Sequence, residues 1–370
     1  MLLTGVRTAG VDGETTLRVD GDRFATGPGD AAEPRLDLAG CVLLPGGVDL
    51  HVHGGGGHDV ATSAADLAGA VAFHHAHGTA ATLASLVTAP VAALCEQLDR
   101  VADACERGVP AGVVVGAHLE GPFLSRVRCG AQNPEHLLAP DRGAFAELLA
   151  AARGHLRMIT VAPELPGALD LIADALAADV LVAVGHTDAS YEQTLAAFDA
   201  GAQLATHLFN GMRPVHHRDP GPVVAALERG VVCELINDGV HLHAAAARLA
   251  RDRARPVLIT DAIDAAGAPD GRYALGGQEV AVADGEARLA SSDSLAGSTL
   301  TLDAAAGRAL RDGWTVDEVT AAVSTLPAQL LGVDDRFGVV APGRRADALV
   351  LDAGGRLRGT LDAGAWRSAR

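Results

Sequence analysis

The chain has 370 residues, 46 acidic and 29 basic side chains, and a formal net charge of −17, a balance that argues against a nucleic-acid or anionic-membrane partner. Apolar residues make up 49%, enough for a sizeable core, but only 3% are aromatic, so Ala, Val and Leu must fill it. All 29 basic residues are arginine, which excludes Schiff-base lysines, phosphate loops built on lysine and a carbamylated-lysine metal bridge.

In chain order, residues 1–40 alternate short apolar pairs with turn residues such as Val11-Asp12-Gly13 and Asp20-Gly21-Asp22, and read as short antiparallel strands. Residues 336–361 do the same, and neither end is long enough to bury a core alone. The two are expected to pair into one small β domain, with boundaries at 1–44 and 336–370 around a central unit of 45–335.

The central unit alternates apolar runs with Ala-rich helical stretches. Eight strands are expected, at Val42–Leu50, Ala80–Leu86, Val113–His118, Ile159–Ala162, Val180–Val184, Gln203–Thr206, Val231–Ile236 and Val257–Thr260. Helices are expected at Ala64–Ala76, Val91–Glu106, Ala144–Ala152, Ala168–Ala177, Tyr191–Ala200 and Ala244–Arg253. The strand runs are apolar on both faces, as buried parallel strands are, and the fold class is α/β, a (β/α)8 barrel of the TIM type. A doubly wound open sheet is disfavoured because no G-x-G-x-x-G follows the first run. Residues 271–290 read as an inserted hairpin, and helices resume near Thr301–Asp312 and Thr315–Thr325.

The active site of such a barrel lies at the carboxyl ends of its strands. There the sequence places His51-Val52-His53, His118-Leu119-Glu120, Gly185-His186, His207, Asn237-Asp238 and Asp261. His51 and His53 are two apart on a strand, so their rings share a side, and neutral imidazole is a good ligand for Zn²⁺ and related ions. Fifteen histidines in 370 residues give about 0.6 H-x-H pairs by chance, so the pair alone decides little. Taken singly, Glu120 reads as a helix-start carboxylate, His186 as a turn cap, His207 as a core histidine and Asp261 as an N-cap. Their joint placement on one rim carries the inference. His74, His75, His77, His136, His155 and His216 are read as surface or loop residues, and His243 as a cap. The five cysteines, scattered and odd in number, read as reduced thiols. Neither an 18-residue apolar run nor a signal-peptide pattern is seen, so a soluble cytoplasmic protein is expected.

The ordered blocks PGGVDLHVHGGGG (45–57), GAHLEGPFLS (116–125), VGHTDA (184–189), THLFNGM (206–212), NDGVHLH (237–243), LITDAI (258–263) and LAGSTLTL (295–302) resemble the N-acetylglucosamine-6-phosphate deacetylases of the amidohydrolase superfamily. The resemblance implies a small β-sandwich formed from both chain ends, a homodimer, and removal of acetate from a phosphorylated amino sugar. It implies one or two divalent metal ions, zinc first, with iron, manganese or cobalt as alternatives. Glu120, His186 and His207 match the main metal ligands, and His51 and His53 a pair kept only by members able to hold a second ion. Asp261 matches the catalytic aspartate and His241 the histidine near the substrate carbonyl. Asn210, Gly211 and Arg218 match sugar-phosphate contacts, with Arg218 on the phosphate. Gln132 stands in a substrate-side loop where the family often has His. The galactosamine epimer, another amide hydrolase of the superfamily, a deaminase and a metal-free sugar-phosphate sensor are the alternatives.

Overall fold

The computed structural model describes residues 1–27, 29–30, 32–292 and 294–369. Eight parallel strands form one sheet: β1 (Gly47–Val52), β2 (Thr79–Val87), β3 (Val113–Glu120), β4 (Leu156–Val161), β5 (Leu181–Val184), β6 (Leu204–Ala205), β7 (Val232–Ile236) and β8 (Arg255–Ile259). Each strand pairs with its sequence neighbour, the arrangement that right-handed β-helix-β crossovers produce.

The sheet closes without a ladder between β8 and β1. Instead the residues just past β8 bond to β1: the Asp261 N–H donates to the His51 carbonyl and the His53 N–H to the Ala262 carbonyl, both at 2.8 Å. Below them the Thr260 hydroxyl donates to Asp49 Oδ2 at 2.7 Å. Asp49 is fully buried, and desolvation pushes its carboxyl up to about 7.

Helices cover the barrel at Ala64–Ala76, Val91–Arg107, Arg142–Ala151, Ala168–Ala177, Tyr191–Asp199, Gly221–Arg229, Ala244–Arg253 and Leu302–Arg311. Ser63, Asp141 and Ser190 cap three of them by accepting from backbone N–H groups. The expected helices are present; Gly221–Arg229 was not among them, although Pro222 in its first turn and Gly230 at its end mark both boundaries. The expected helix at Thr315–Thr325 runs on to Leu330 through a π-helical turn at Ala321–Thr325.

The first expected strand is two strands. Val42–Pro45 pairs antiparallel with Ala348–Leu351 in an outer sheet, and the chain then enters β1. Glycine is needed at this crossing, because a Cβ on Gly46 would lie 2.7 Å from the Ala80 methyl and one on Gly47 2.5 Å from Leu302. The outer sheet is completed by Leu357–Asp362 and Ala365–Ser368, while Leu2–Val6, Thr15–Asp20, Arg23–Ala25 and Arg35–Asp37 form a second sheet. Leu3, Val6, Phe24, Leu43, Ala348 and Val350 pack into one apolar cluster drawn from both ends of the chain. The segment expected as a hairpin is a three-stranded meander, Gly271–Leu275, Gln278–Ala283 and Glu286–Leu289. Among the described residues no helix is long and apolar enough to cross a membrane.

Candidate active site

Glu120 is the last residue of β3, and its buried carboxylate is the hub of the site. Oε1 lies 3.0 Å from both His186 Nε2 and His207 Nε2, and Oε2 lies 3.3 Å from His53 Nε2. Two triads result, Glu120/His186/His207 and His51/His53/Asp261, all six residues buried and the ligand atoms of each triad within 4.8 Å of one another. Asp261 Oδ1 is 3.2 Å from His53 Nε2 and 3.4 Å from His51 Nε2.

Three of these residues hold a left-handed backbone: His186 (φ 44°), His207 (φ 27°) and Asp261 (φ 51°). Each follows the end of its strand, and the turn aims the side chain into the barrel mouth. Such conformations cost about 1–3 kcal/mol each outside glycine, so the surrounding bonds must hold them. The Glu164 carboxylate accepts from the Thr187 hydroxyl at 2.5 Å and the Asp188 N–H at 2.6 Å, fixing the turn after His186.

Every imidazole of the two triads has its outer nitrogen committed. Nδ1 donates to the Ser85 carbonyl in His53 (3.0 Å), the Arg128 carbonyl in His186 (2.9 Å) and the Asn210 carbonyl in His207 (3.2 Å). In His51 it donates to Glu234 Oε2 at 3.2 Å. Those acceptors place the proton on Nδ1 and leave Nε2 as a lone pair in the neutral ring. Yet His186 Nε2 and His207 Nε2 are 3.1 Å apart, as are His51 Nε2 and His53 Nε2. Facing lone pairs at that distance repel, and a cation between them removes the repulsion. Nitrogen ligands on tetrahedral zinc at about 2.0–2.1 Å sit about 3.3 Å from each other, so the donor set fits a divalent metal ion.

The charge balance agrees. Burial opposes ionisation of Glu120, but His51, His186 and His207 hold its carboxyl well below the usual range. Burial likewise disfavours a charged His53, while Asp261 and Glu120 push that ring up to about 9. The carboxylates thus demand positive charge at the centre.

Beneath the triads runs a polar chain. Ser85 Oγ accepts from the Val52 N–H and lies 3.0 Å from His118 Nδ1, and His118 Nε2 lies 2.9 Å from Thr160 Oγ1, which lies 2.9 Å from Thr206 Oγ1. Burial disfavours a charged His118, and its ring meets the His51 ring edge to face.

The triads open into a cavity of about 310 Å³, whose walls include Gln132, Asn210, Gly211, His241, Leu275, Ser294 and Gly297. His241 Nδ1 donates to Asp238 Oδ2 at 2.7 Å, leaving Nε2 for a ligand. Arg218 is not in this wall. It lies on the exposed loop after Met212, with its guanidinium beside the His217 ring. His74, expected at the surface, is buried, with Nε2 donating to the Gly54 carbonyl, because its helix packs on the glycine run after β1. His243 is an N-cap, as expected. Sequence reasoning missed Glu234 and Glu164, and it placed Asp238 on the rim without its bond to His241. The signal for Glu234 was a lone charge inside the apolar run Val231–Ile236.

A family model described as the amidohydrolase family matches residues 42–363. The N-acetylgalactosamine-6-phosphate deacetylase of Escherichia coli O157:H7 is 43% identical over 85% of this chain and 84% of its own. The N-acetylglucosamine-6-phosphate deacetylase of Bos taurus is 37% identical over 90% and 85%. The N-acetyl-D-glucosamine-6-phosphate deacetylase of Mycobacterium smegmatis, solved with N-acetyl-D-glucosamine-6-phosphate, superposes with a TM-score of 0.90 at 40% identity over 99% and 98% of the two chains.

Proposed function

The chain belongs to the amidohydrolase family, and on that premise we propose that it hydrolyses the N-acetyl group of N-acetyl-D-glucosamine 6-phosphate to D-glucosamine 6-phosphate and acetate. The observation that carries this reading is the pair of buried triads meeting at Glu120 in the floor of a cavity of about 310 Å³. That floor suits an amide and the volume suits a small polar ligand. The curated relatives at 35–38% identity support the glucosamine epimer, and the 43% relative makes N-acetylgalactosamine 6-phosphate the second reading.

Glu120, His186 and His207 would hold one divalent ion, and His51, His53 and Asp261 a second, zinc before iron, manganese or cobalt. Such an ion acidifies water and polarises an amide carbonyl. Asp261 Oδ1 takes the proton of the attacking water and returns it to the departing amine, which leaves poorly unless protonated. His241 Nε2 steadies the carbonyl oxygen as negative charge builds. Asn210 and Gly211 line the wall as sugar contacts, with Gln132 beside them. Arg218 would hold the phosphate bidentately, and from its exposed position that needs the loop to close over the cavity or to reach a second copy. We read the protein as a cytoplasmic homodimer, with residues 45–335 as the catalytic barrel and 1–44 with 336–370 as one sandwich. The test is acetate release from both 6-phosphorylated N-acetylhexosamines and from their unphosphorylated forms, with metal content measured on the same preparation. Turnover of the unphosphorylated sugars alone would overturn the phosphate assignment.

A further inference from the structure

Gln132 lines the cavity, yet its side chain is buried and engaged with the protein. Oε1 accepts from the Thr88 backbone N–H at 2.8 Å, and Nε2 donates to Glu120 Oε2 at 2.5 Å. Only one orientation of the amide satisfies both. Reversed, it would set donor against donor at Thr88 and acceptor against acceptor at Glu120. The loop is itself anchored: the Gln132 N–H donates to the Cys129 carbonyl at 2.9 Å, and Gln278 Nε2 to the Ala131 carbonyl at 2.7 Å.

Glu120 belongs to one triad and reaches the ligand atoms of both, Oε1 lying 3.0 Å from His186 and His207 and 3.6 Å from His51, and Oε2 3.3 Å from His53. A carboxylate turning freely about its last bond would swing its plane out of line with one triad or the other. The bond from Gln132 uses one lone pair of Oε2 and stops that rotation, leaving the second lone pair for a cation beside His53. We infer that Gln132 is a positioning residue, holding Glu120 so that a single carboxylate joins two cation sites. It makes possible the bridging role for which this chain has no lysine. The inference rests on the reading of the two triads as cation sites.

The test is titration of chelator-treated wild type, Gln132→Met and Gln132→Asn with Zn²⁺ alone, by calorimetry, alongside kinetics on N-acetylglucosamine 6-phosphate. Wild type should take two equivalents. Both variants should keep the tighter site within threefold and bind the weaker one at least tenfold less well. Their kcat should fall with KM within threefold, and added zinc should restore it, which a merely structural defect would not allow. Gln132→Asn keeps an amide too short to reach both partners, so it carries the test if Gln132→Met does not fold. One equivalent in wild type, unchanged affinities in the variants, or a raised KM at unchanged kcat would each overturn the inference. Two Gln132-dependent equivalents without acetate release would overturn the deacetylase reading and leave this inference standing.

Discussion

His186 and His207 turn their Nε2 atoms toward each other across 3.1 Å while a backbone carbonyl occupies each Nδ1. The repulsion between those lone pairs is relieved only when something positive lies between them. Stripping the protein with a chelator should therefore lower its melting temperature by at least about 5 °C, and zinc should restore it, since a ligand present at about 1,000 times its Kd adds about 4 kcal/mol. A melting curve indifferent to chelator and zinc would count against a cation at this triad.

Asp261 sits in the second triad and is the proposed proton carrier. Asp261→Asn keeps the shape and the two seam bonds of the backbone but loses the base. Turnover should fall about 10²–10⁴-fold, while Glu120, His186 and His207 still retain one metal equivalent. Undiminished activity in this variant would refute the role.

Glu234 has Oε2 shared between His51 Nδ1 and the backbone N–H of His207, and so touches both triads from behind. Glu234→Leu removes the acceptor that orients His51. Affinity for the second metal equivalent should drop about 10–100-fold, measurable by competition with a chromogenic chelator. Unaltered affinity would show that His51 needs no orienting partner.

Asp264 lies beyond the site, half-buried, with burial and then the neighbouring Asp59 raising its carboxyl to about 6. A raised acid binds its proton more tightly folded than unfolded. Stability from this group is complete below the unfolded value near 4 and is lost as pH rises to about 6, after which the loss stays constant. Asp264→Asn should thus gain about 1 kcal/mol at pH 8, after allowance for exposure, and almost nothing at pH 4. Urea denaturation at the two values checks it; equal gains would show that the charge is not the cause.

Arg218 is exposed and outside the cavity wall. If it meets the phosphate, Arg218→Ala should raise KM for the phosphorylated sugar about 10–100-fold, the worth of one charge-assisted contact. The slow reaction of the unphosphorylated sugar should be unaffected. A KM unchanged for both sugars would remove Arg218 from the site.

The strands were legible because a parallel strand buried on both faces is an unbroken apolar run, and each such run ends on a polar residue at the barrel mouth. That is why Glu120, His186, His207 and Asp261 stood out. Other features left weaker marks. Val42–Leu50 is one apolar run but two strands, since the break at Gly46 depends on how close Ala80 comes. His74 looked exposed because nothing local reveals that its helix covers the glycines after β1. Glu164 acts through bonds to Thr187 and Asp188 in another turn of the site, and ordinary loop carboxylates look the same in sequence. Arg218 lies six residues past the THLFNGM block, and a nearby block fixes the order of residues along the chain and not the direction in which a loop projects.

The joint that shuts the cylinder passes through Asp261 and its neighbours: the Asp261 N–H bonds to His51, the Asp261 carbonyl accepts from the Ser298 N–H, and Ala262 accepts from the His53 N–H. Mechanical integrity and catalysis therefore share the same few atoms. Breathing at that hoop would carry the proposed base out of line, and a guest bridging His53 and Asp261 would act as a rivet. The amides that exchange with solvent when the cylinder springs open belong to the reaction centre itself.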